Sequence, residues 1–224
     1  MTTARYDGLA EWYDQELGPF VERSLPDVRE LLGPGSGRCL DVACGTGIAS
    51  LAVAELGWNV AGVDVSADQL RIARTRLGSE AELVEADATA LPFPDRSFDA
   101  AVSTFTHTDL DEFAAAVQEV ARVLRPGAPF VYLGLHPCFV GPHSSFVHAE
   151  GIPELHAGYF ESRRYFEAPG IVNPEGLRAR VGALHLPLGK LVQAFLDAGL
   201  RLERLEERGG DEYPAVLAFR WRKP

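Results

Sequence analysis

The sequence is poor in cysteine and contains no long apolar run. Its three cysteines, Cys39, Cys44 and Cys138, are an odd number and form no C-x-x-C pair. This pattern argues against a disulfide framework or a structural zinc site and is typical of a reducing compartment. No apolar stretch approaches the roughly 18 residues of a membrane span, and the first residues lack a signal-peptide pattern. We therefore expect a cytoplasmic protein that does not insert into a membrane.

The sequence also lacks an excess of positive charge. It has 21 Lys and Arg residues against 32 Asp and Glu residues, which gives a formal net charge of −11. Duplex nucleic acid and anionic membranes attract clustered positive charge, so neither is expected as a partner. The 224 residues fit one globular domain with a sizeable insertion, and their number leaves the oligomeric state open.

Apolar residues in the middle of the chain alternate between strand-like and helix-like spacing. Short buried strands are predicted at 38–43, 58–64, 82–85, 98–103 and 129–135. Helices are predicted between them, one opening on the capping box Ser66-Ala-Asp-Gln69 and another starting at Asp109 with Glu112. Strands that alternate with helices form βαβ units, so we expect a largely parallel sheet with helices on both faces.

The C-terminal part follows a different pattern. A helix over 188–195 is followed by two predicted strands near 200–207 and 215–222. Only a short loop separates these strands, so they should pair antiparallel. The predicted fold class is α/β: a doubly wound, Rossmann-like sheet of seven strands with the last one antiparallel and a lid inserted after strand five.

A glycine-rich turn lies where the first strand meets the first helix, in Leu40-Asp-Val-Ala-Cys-Gly-Thr-Gly47. Gly45 and Gly47 allow a tight turn in which a ligand can lie against bare backbone. Asp64, 17 positions after Gly47, ends the second strand, where a carboxylate can accept both hydroxyls of a ribose. This order of elements predicts a nucleoside-bearing cofactor.

Two departures from the nicotinamide pattern G-x-G-x-x-G indicate which cofactor this is. Ser50 occupies the third glycine position, and Asp41 precedes the first glycine by four residues. The Asp41 carboxylate would repel a pyrophosphate at the helix N-terminus. It suits a cofactor that carries a sulfonium and an ammonium group, and S-adenosylmethionine carries both.

The sequence resembles the class I S-adenosylmethionine-dependent methyltransferases of the small-molecule type. Together the matching motifs cover 38–134, and the helix and hairpin at 188–222 fit the family's ending. The motifs are Asp41-Val-Ala-Cys-Gly-Thr-Gly47, Asp64-Val-Ser66 with Leu70, Ala86-Asp-Ala88, Leu91-Pro-Phe-Pro-Asp-Arg-Ser-Phe-Asp99 and Arg122-Val-Leu-Arg-Pro-Gly127. Ala128 stands where the family usually has a second glycine, in a turn away from the cofactor residues.

The resemblance implies a role for each matching residue. Asp41 would lie below the methionine amino group, Asp64 would bind the ribose, and Asp87 would accept from the adenine amino group. Two residues match the family pattern less closely. Thr104 would contact the methionine through its backbone, and Tyr13 would be the aromatic residue that closes over the cofactor. The full set of implied S-adenosylmethionine-binding residues is Tyr13, Asp41, Ala43, Gly45, Gly47, Asp64, Val65, Leu70, Asp87, Ala88 and Thr104.

We expect one domain made of four segments. A helical cap segment (1–37) precedes the S-adenosylmethionine-binding core (38–136), and 188–224 complete that core. Between them lies 137–187, which is rich in proline, histidine and aromatic residues. An irregular stretch of this length inside a compact domain is typical of a functional lid, and we interpret it as partly helical.

The lid and the strand ends supply the candidate catalytic and substrate residues. His107 and His136 follow the fourth and fifth strands, and we predict both on the floor of a substrate pocket, with His136 as the base if the acceptor is a hydroxyl. The predicted substrate residues of the lid are Tyr159, Tyr165, Phe166 and His185. His143, His148 and His156 lack the spacing of metal ligands, so no metal is expected.

The predicted function is methyl transfer from S-adenosylmethionine to a small, partly aromatic or apolar metabolite. One alternative is a protein that binds this cofactor without transferring methyl, as a regulator or a cyclase. A second alternative is a nicotinamide oxidoreductase, which Asp41 and Ser50 disfavour. The pattern leaves open whether the acceptor atom is O, N, C or S.

Overall fold

The fold begins with three short helices. The computed structural model describes residues 4–79, 81–146, 153–169, 173, 175–209 and 213–224. The helices are α1 (Ala10–Glu16), α2 (Gly18–Arg23) and α3 (Leu25–Leu32). Pro26 lies in the first turn of α3, where its missing N–H leaves no helical hydrogen bond unmade.

A seven-stranded sheet forms the centre, in the order β10-β11-β5-β4-β1-β2-β3. Its strands are β1 (Arg38–Val42), β2 (Asn59–Asp64), β3 (Glu82–Glu85), β4 (Ala100–Thr104), β5 (Pro129–Leu135), β10 (Arg201–Gly209) and β11 (Pro214–Arg222). The first five are parallel, and β11 pairs antiparallel with both β5 and β10. The predicted doubly wound sheet with an antiparallel hairpin is confirmed.

Helices cover both faces of this sheet. They are α4 (Ile48–Glu55), α5 (Ala67–Leu77), α6 (Phe113–Val123) and α8 (Leu188–Asp197). The strand order reverses between β1 and β4, and ligands bind to open α/β sheets outside the carboxyl ends of the strands at this kind of reversal. The topology therefore places the site at the loops that follow β1, β2 and β4.

The start of α5 shows how the Asp64 carboxylate orders the loop that follows β2. The Ser66 hydroxyl accepts from the N–H of Gln69 at 3.2 Å, which confirms the first half of the predicted capping box. The reciprocal bond differs, because the Ser66 N–H donates at 2.9 Å to Oδ1 of Asp64 rather than to Gln69. Asp64 thus orders the turn that follows β2.

The segment between β5 and α8 contains little helix. Its described elements are the ladders β6 (Ser144–Phe146) with β7 (Pro153–Leu155) and β8 (Arg164–Tyr165) with β9 (Ala183–Leu184), and the five-residue helix α7 (Leu177–Val181). The lid was predicted to be partly helical, and among the described residues α7 is its helical part. Most of this segment instead consists of loops tied by two short ladders.

Phe195 of α8 lies at the centre of an aromatic cluster on one face of the sheet. Its ring stacks on Trp221 at 4.7 Å between centroids, and both side chains are fully buried. We expect Phe195→Ala to lower the free energy of unfolding by about 3–5 kcal/mol, because it leaves a cavity in a close-packed core. Urea unfolding monitored by tryptophan fluorescence measures this loss. Phe160, 82% exposed, provides the matched Phe→Ala control, and a loss of equal size there would contradict the assignment.

Candidate cofactor and substrate site

The turn between β1 and α4 has an unusual backbone. Gly45 and Gly47 have φ values of 54° and 80°, and Ala43, which is not a glycine, has φ of 54°. Non-glycine residues in this region cost of order 1–3 kcal/mol and cluster at functional sites. A Cβ atom at Gly47 would also lie 3.1 Å from the Ala73 side chain, so the turn packs directly on α5. The predicted tight turn is present, and both glycines adopt left-handed backbone angles in it.

Asp64 connects this turn to the one after β2. Its Oδ2 accepts from the N–H of Gly45 at 2.9 Å, while its Oδ1 accepts from Ser66. Burial raises the pKa of Asp64, and the backbone N–H donors oppose that effect by stabilising the carboxylate. A carboxylate has about four acceptor sites, so two occupied sites leave capacity for the two hydroxyls of a ribose.

Asp41 is a buried carboxyl group in which one oxygen is hydrogen-bonded and the other is not. It is 1% exposed, and its Oδ2 accepts from the Ser50 hydroxyl at 2.6 Å. Its Oδ1 has no hydrogen-bond partner among the described residues. Burial, opposed by the Ser50 bond and reinforced by the negative charge of Asp64, raises the pKa of Asp41 to about 7. A cationic donor would satisfy Oδ1 and stabilise the charged form.

A cavity of about 70 Å³ opens beside this turn. Five of its lining residues belong to the predicted cofactor set: Tyr13, Ala43, Gly45, Asp64 and Thr104. The chain also contributes Tyr6, Gln69, Phe105, Thr106, Asp109 and Leu110 to this lining. Gln69 contributes a second buried oxygen without a hydrogen bond, because its Oε1 has no partner among the described residues. We call this space the cofactor cavity.

Other predicted cofactor residues lie outside that lining. Leu70 is fully buried and Ala88 is 6% exposed, so both pack within the core. Val65 is half-buried in the turn after β2. Oδ1 of Asp87 accepts from the N–H of Thr89 at 2.9 Å and from its hydroxyl at 2.7 Å. The structure therefore brings the predicted ribose residue Asp64 and the predicted methionine contact Thr104 to one cavity. Asp41, Gly47 and the predicted adenine residues are not among the residues that line it.

A larger cavity of about 330 Å³ adjoins the first, and we call it the substrate cavity. Its size lies within the range of small-molecule sites. Four residues line both cavities and form the boundary between them: Tyr6, Tyr13, Phe105 and Asp109. The rest of its lining is Leu17, Phe20, Val21, Leu135, Asn173, Gly176, Leu177 and Arg178. Apart from a few polar groups, the lining is apolar and aromatic.

Asp109 was predicted to start a helix, and the structure corrects this prediction. The helix α6 begins at Phe113, and Asp109 instead lies in the loop after β4. Its Oδ1 accepts from the Tyr6 hydroxyl at 2.9 Å and from Nη1 of Arg178 at 2.7 Å. Sequence reasoning missed this group because its members are far apart along the chain. Only the position of Asp109 after a strand end could have indicated it.

The two predicted catalytic histidines lie elsewhere. Nδ1 of His107 is 2.6 Å from the Tyr132 hydroxyl, and burial lowers the pKa of His107 to about 3, so its ring is neutral. Nδ1 of His136 accepts from the N–H of Cys138 at 3.2 Å, and its Nε2 donates to Glu207 at 2.9 Å. Neither histidine is among the described lining residues of the cofactor or substrate cavity. The predicted pocket floor is thus not where the structure places them.

The aromatic side chains that line the substrate cavity also differ from the predicted ones. The Tyr159 hydroxyl accepts from the N–H of Leu188 at 3.0 Å, and Tyr165 is buried beneath the lid. Phe166 is 49% exposed, and Nε2 of His185 donates to the Tyr159 carbonyl at 2.7 Å. None of these four lines the substrate cavity, whose aromatic walls come from the N-terminal segment and from Phe105. His107 and His185 border a separate cavity of about 60 Å³ beside it.

The residues of the cofactor cavity fit S-adenosylmethionine. Two buried oxygens, Oε1 of Gln69 in the cavity lining and Oδ1 of Asp41 in the adjoining strand β1, have no donor among the described residues, and the ammonium group and hydroxyls of this cofactor are donors. The negative charge of Asp109 also acts on Asp64, so the region favours a cation over a pyrophosphate. These observations disfavour the nicotinamide alternative for the same reason that Asp41 did.

Comparisons with known proteins agree with the fold. Residues 40–132 match the family described as the methyltransferase domain. A demethylmenaquinone methyltransferase from Clavibacter sepedonicus is 43% identical over 136 residues, which are 58% of this chain and 56% of that protein. The chain spans about half the length of the curated relatives it matches.

Solved structures share the fold at lower identity. An S-adenosylmethionine-dependent methyltransferase from Mesorhizobium loti is 22% identical with a TM-score of 0.72, over 89% of this chain and 96% of that one. The cyclase SpnF is 22% identical with a TM-score of 0.64, over 91% and 81% of the two chains. Residues 40–132 thus match a methyltransferase domain, and the fold of the chain is that of an S-adenosylmethionine-dependent methyltransferase of known structure, in agreement with the resemblance seen in the motifs.

The described part of the chain contains neither a membrane-spanning helix nor a cluster of metal ligands. No helix there is long and apolar enough to cross a membrane. No group of three or more His, Cys, Asp or Glu side chains there could hold a metal ion.

The high pKa of Asp41 leads to a test of the cofactor cavity. Because the folded-state pKa of about 7 exceeds the ordinary 3.8, Asp41 opposes folding increasingly as the pH rises from about 4 to 7. A bound ammonium group should lower this pKa and release protons near pH 6.5. Calorimetry of S-adenosylhomocysteine binding, in two buffers of different ionisation enthalpy, should detect this release in the wild type and not in Asp41→Asn.

Ser50→Ala is the matched variant for this experiment. It removes the hydrogen bond that stabilises the Asp41 carboxylate, so proton release should move to higher pH. Equal proton release in the wild type and in Asp41→Asn would contradict the assignment of Asp41.

Proposed function

We propose that this protein is an S-adenosylmethionine-dependent methyltransferase that acts on a small molecule. The observation that carries the proposal is the shared boundary of Tyr6, Tyr13, Phe105 and Asp109 between the two cavities. A cofactor on one side of this boundary would lie next to an acceptor on the other side. Such adjacency is what a direct group transfer between two bound molecules requires.

The cofactor would be held by residues of the glycine turn and the neighbouring loops. Asp64 would accept from the ribose, Asp41 would face the ammonium group, and Gly45 would offer bare backbone. Tyr13 and Thr104 line the same cavity. When bound, S-adenosylmethionine supplies a methyl group on a sulfonium whose thioether is an excellent leaving group.

The chain's own contribution is to orient the acceptor and to exclude water. Orientation of two bound reactants supplies roughly 7–11 kcal/mol of a reaction barrier. The walls formed by Leu17, Phe20, Val21 and Leu177 suit this task because apolar side chains leave few sites for water. Both ring nitrogens of His136 are engaged by Cys138 and Glu207, so we assign no base to it.

A small molecule fits better than a macromolecular substrate. The net charge of −11 argues against nucleic acid, and the substrate cavity has the volume of a metabolite site. The relative from Clavibacter sepedonicus is named for demethylmenaquinone, which is also a small molecule. We place the protein in the cytoplasm because Cys39, Cys44 and Cys138 are all unpaired.

The fold is also shared with SpnF, which is a cyclase. One alternative function is therefore a protein that binds the cofactor and transfers no methyl group. Incubation with S-adenosylmethionine and a set of apolar hydroxyl and amine acceptors distinguishes the two functions. A methyltransferase forms S-adenosylhomocysteine in an acceptor-dependent reaction, detectable by mass spectrometry. Cofactor binding without this product, across the set, would favour the alternative.

Leu17→Trp tests whether the larger cavity holds the acceptor. Leu17 lines the substrate cavity only, so a bulkier side chain should lower kcat/KM by about tenfold or more and leave cofactor affinity unchanged. Steady-state kinetics and calorimetry measure the two effects separately. Leu196, which is 47% exposed on α8, is the matched Leu→Trp control. Unchanged kinetics in Leu17→Trp would exclude this cavity as the acceptor site.

A further inference from the structure

The substrate cavity contains two charged side chains among its described lining residues, Asp109 and Arg178. Asp109 follows β4, and Arg178 lies in α7 of the lid. Nη1 of Arg178 donates to Oδ1 of Asp109 at 2.7 Å, and both side chains are mostly buried, at 23% and 21% exposure. The two charges therefore neutralise each other within a largely apolar lining.

Further hydrogen bonds hold this pair in place. Nη2 of Arg178 donates to the Thr108 hydroxyl at 2.9 Å, and that hydroxyl donates to Oδ2 of Asp109 at 3.0 Å. The Tyr6 hydroxyl donates to Oδ1. Both carboxylate oxygens of Asp109 thus have partners, and a ligand that takes one charge must break an existing network.

The remaining polar groups at the boundary carry no charge at neutral pH. Burial, together with the negative charge of Asp109, raises the pKa of Tyr13 to about 12 and raises that of Tyr6 well above its ordinary value. Burial opposes the charge of Arg178, but Asp109 and the two phenols more than offset it and hold its pKa above the usual range. The lining is therefore neutral as a whole.

Three other charged residues lie close by but do not line the cavity. Arg164 donates to Asp111 and, at 2.9 Å, to the Asp109 carbonyl. Arg5 also donates to Asp111 and, at 3.3 Å, to the same carbonyl. These bonds fix the backbone of the loop after β4. They leave the charge balance within the cavity to the pair itself.

A charged ligand would upset this balance. A carboxylate that bound Arg178 would displace Asp109, and an ammonium that bound Asp109 would displace Arg178. Either event leaves a partly buried charge unpaired, which is unfavourable because that charge has lost both its water and its counter-ion. An uncharged hydroxyl incurs no such cost, because it can hydrogen-bond beside the intact pair.

The walls add a preference for rings. Tyr6 and Tyr13 meet edge to face at 5.4 Å, and Phe20 and Phe105 are 4.9 Å apart, both measured between ring centroids. Aromatic walls favour offset or edge contacts with another ring. Tyr6, Tyr13 and Phe105 line both cavities, and Phe20 lines the substrate cavity beside Phe105.

We propose that the Asp109–Arg178 ion pair makes this site selective for uncharged, ring-containing molecules and excludes carboxylates and ammonium ions of the same shape. The proposal rests on the proposed function only in that the selected molecule would be the methyl acceptor. Asp109 and Arg178 are specificity-determining residues in this account, not bases.

The test compares three probes of one shape at pH 7: 2-naphthol, 2-naphthoate and 2-naphthylmethylammonium. Their binding to the full chain is measured by calorimetry in the presence of S-adenosylhomocysteine. We expect 2-naphthol to bind at least about tenfold more tightly than either charged probe, which corresponds to about 1.4 kcal/mol. Tighter binding of a charged probe, or no binding of any probe, would overturn the proposal.

Two variants should change the preference in opposite directions. Asp109→Asn leaves Arg178 without its counter-ion, so relative affinity for 2-naphthoate should rise by about tenfold or more. Arg178→Gln leaves Asp109 uncompensated, and relative affinity for the ammonium probe should rise instead. The double variant should again prefer 2-naphthol to the two charged probes. Binding with this preference also shows that loss of both side chains leaves the cavity folded, so misfolding does not explain the changes in the single variants. Parallel changes in both single variants would refute the assignment.

Arg5→Gln is the matched control, because Arg5 bonds to the same loop without lining the cavity. It should preserve the order of the three probes. Failure of the proposed function is distinguishable, since it appears as probe binding with the expected selectivity but without S-adenosylhomocysteine formation in the turnover assay. Failure of the present inference appears as turnover with a different charge preference.

Discussion

Three partly or fully buried carboxylates near the carboxyl ends of β1, β2 and β4 determine the character of this site, because each is compensated differently. Asp41 has one hydroxyl partner and a free oxygen, whereas Asp64 has two backbone N–H donors. Asp109 alone is matched by a full positive charge, that of Arg178. The cofactor side of the edge therefore remains negative, and the substrate side becomes neutral. A cationic cofactor and an uncharged acceptor are the ligands that such a division suits.

The N-terminal segment completes both cavities. Tyr6 and Tyr13 wall them, and the flanking Asp7 and Gly8 attach the segment to the start of α5. Oδ1 of Asp7 accepts from the Ser66 hydroxyl at 2.6 Å, and the N–H of Gly8 donates to Asp68 at 3.0 Å. Ser66 also donates its N–H to Asp64, so one residue connects the segment to the carboxylate that we propose binds the ribose. The walls of both cavities are thereby tied to the loop that follows β2.

The lid contributes less surface to the site than its length suggests. Of its described residues, those around α7 reach the substrate cavity, and Arg178 is the one that brings a charge. Its histidines serve other contacts: His143 and His185 pack against each other at 4.7 Å and both face Tyr159. Burial, with the neighbouring His143, lowers the pKa of His185 to about 4, so it stays neutral near neutral pH. These rings stabilise the lid as packing elements.

The strands, the parallel order with its antiparallel hairpin, and the glycine-rich turn between Asp41 and Gly47 could all be predicted from the sequence alone. These features are local: side-chain period, helix caps and glycine turns act over a few residues, and a crossover topology follows from their alternation. Which polar groups line the substrate cavity became visible only in the folded chain. Tyr6, Asp109 and Arg178 meet across more than a hundred positions of chain, and His107 and His136 turn toward Tyr132 and Glu207. The direction of a side chain in a loop depends on its packing partners, and no periodic pattern encodes those partners.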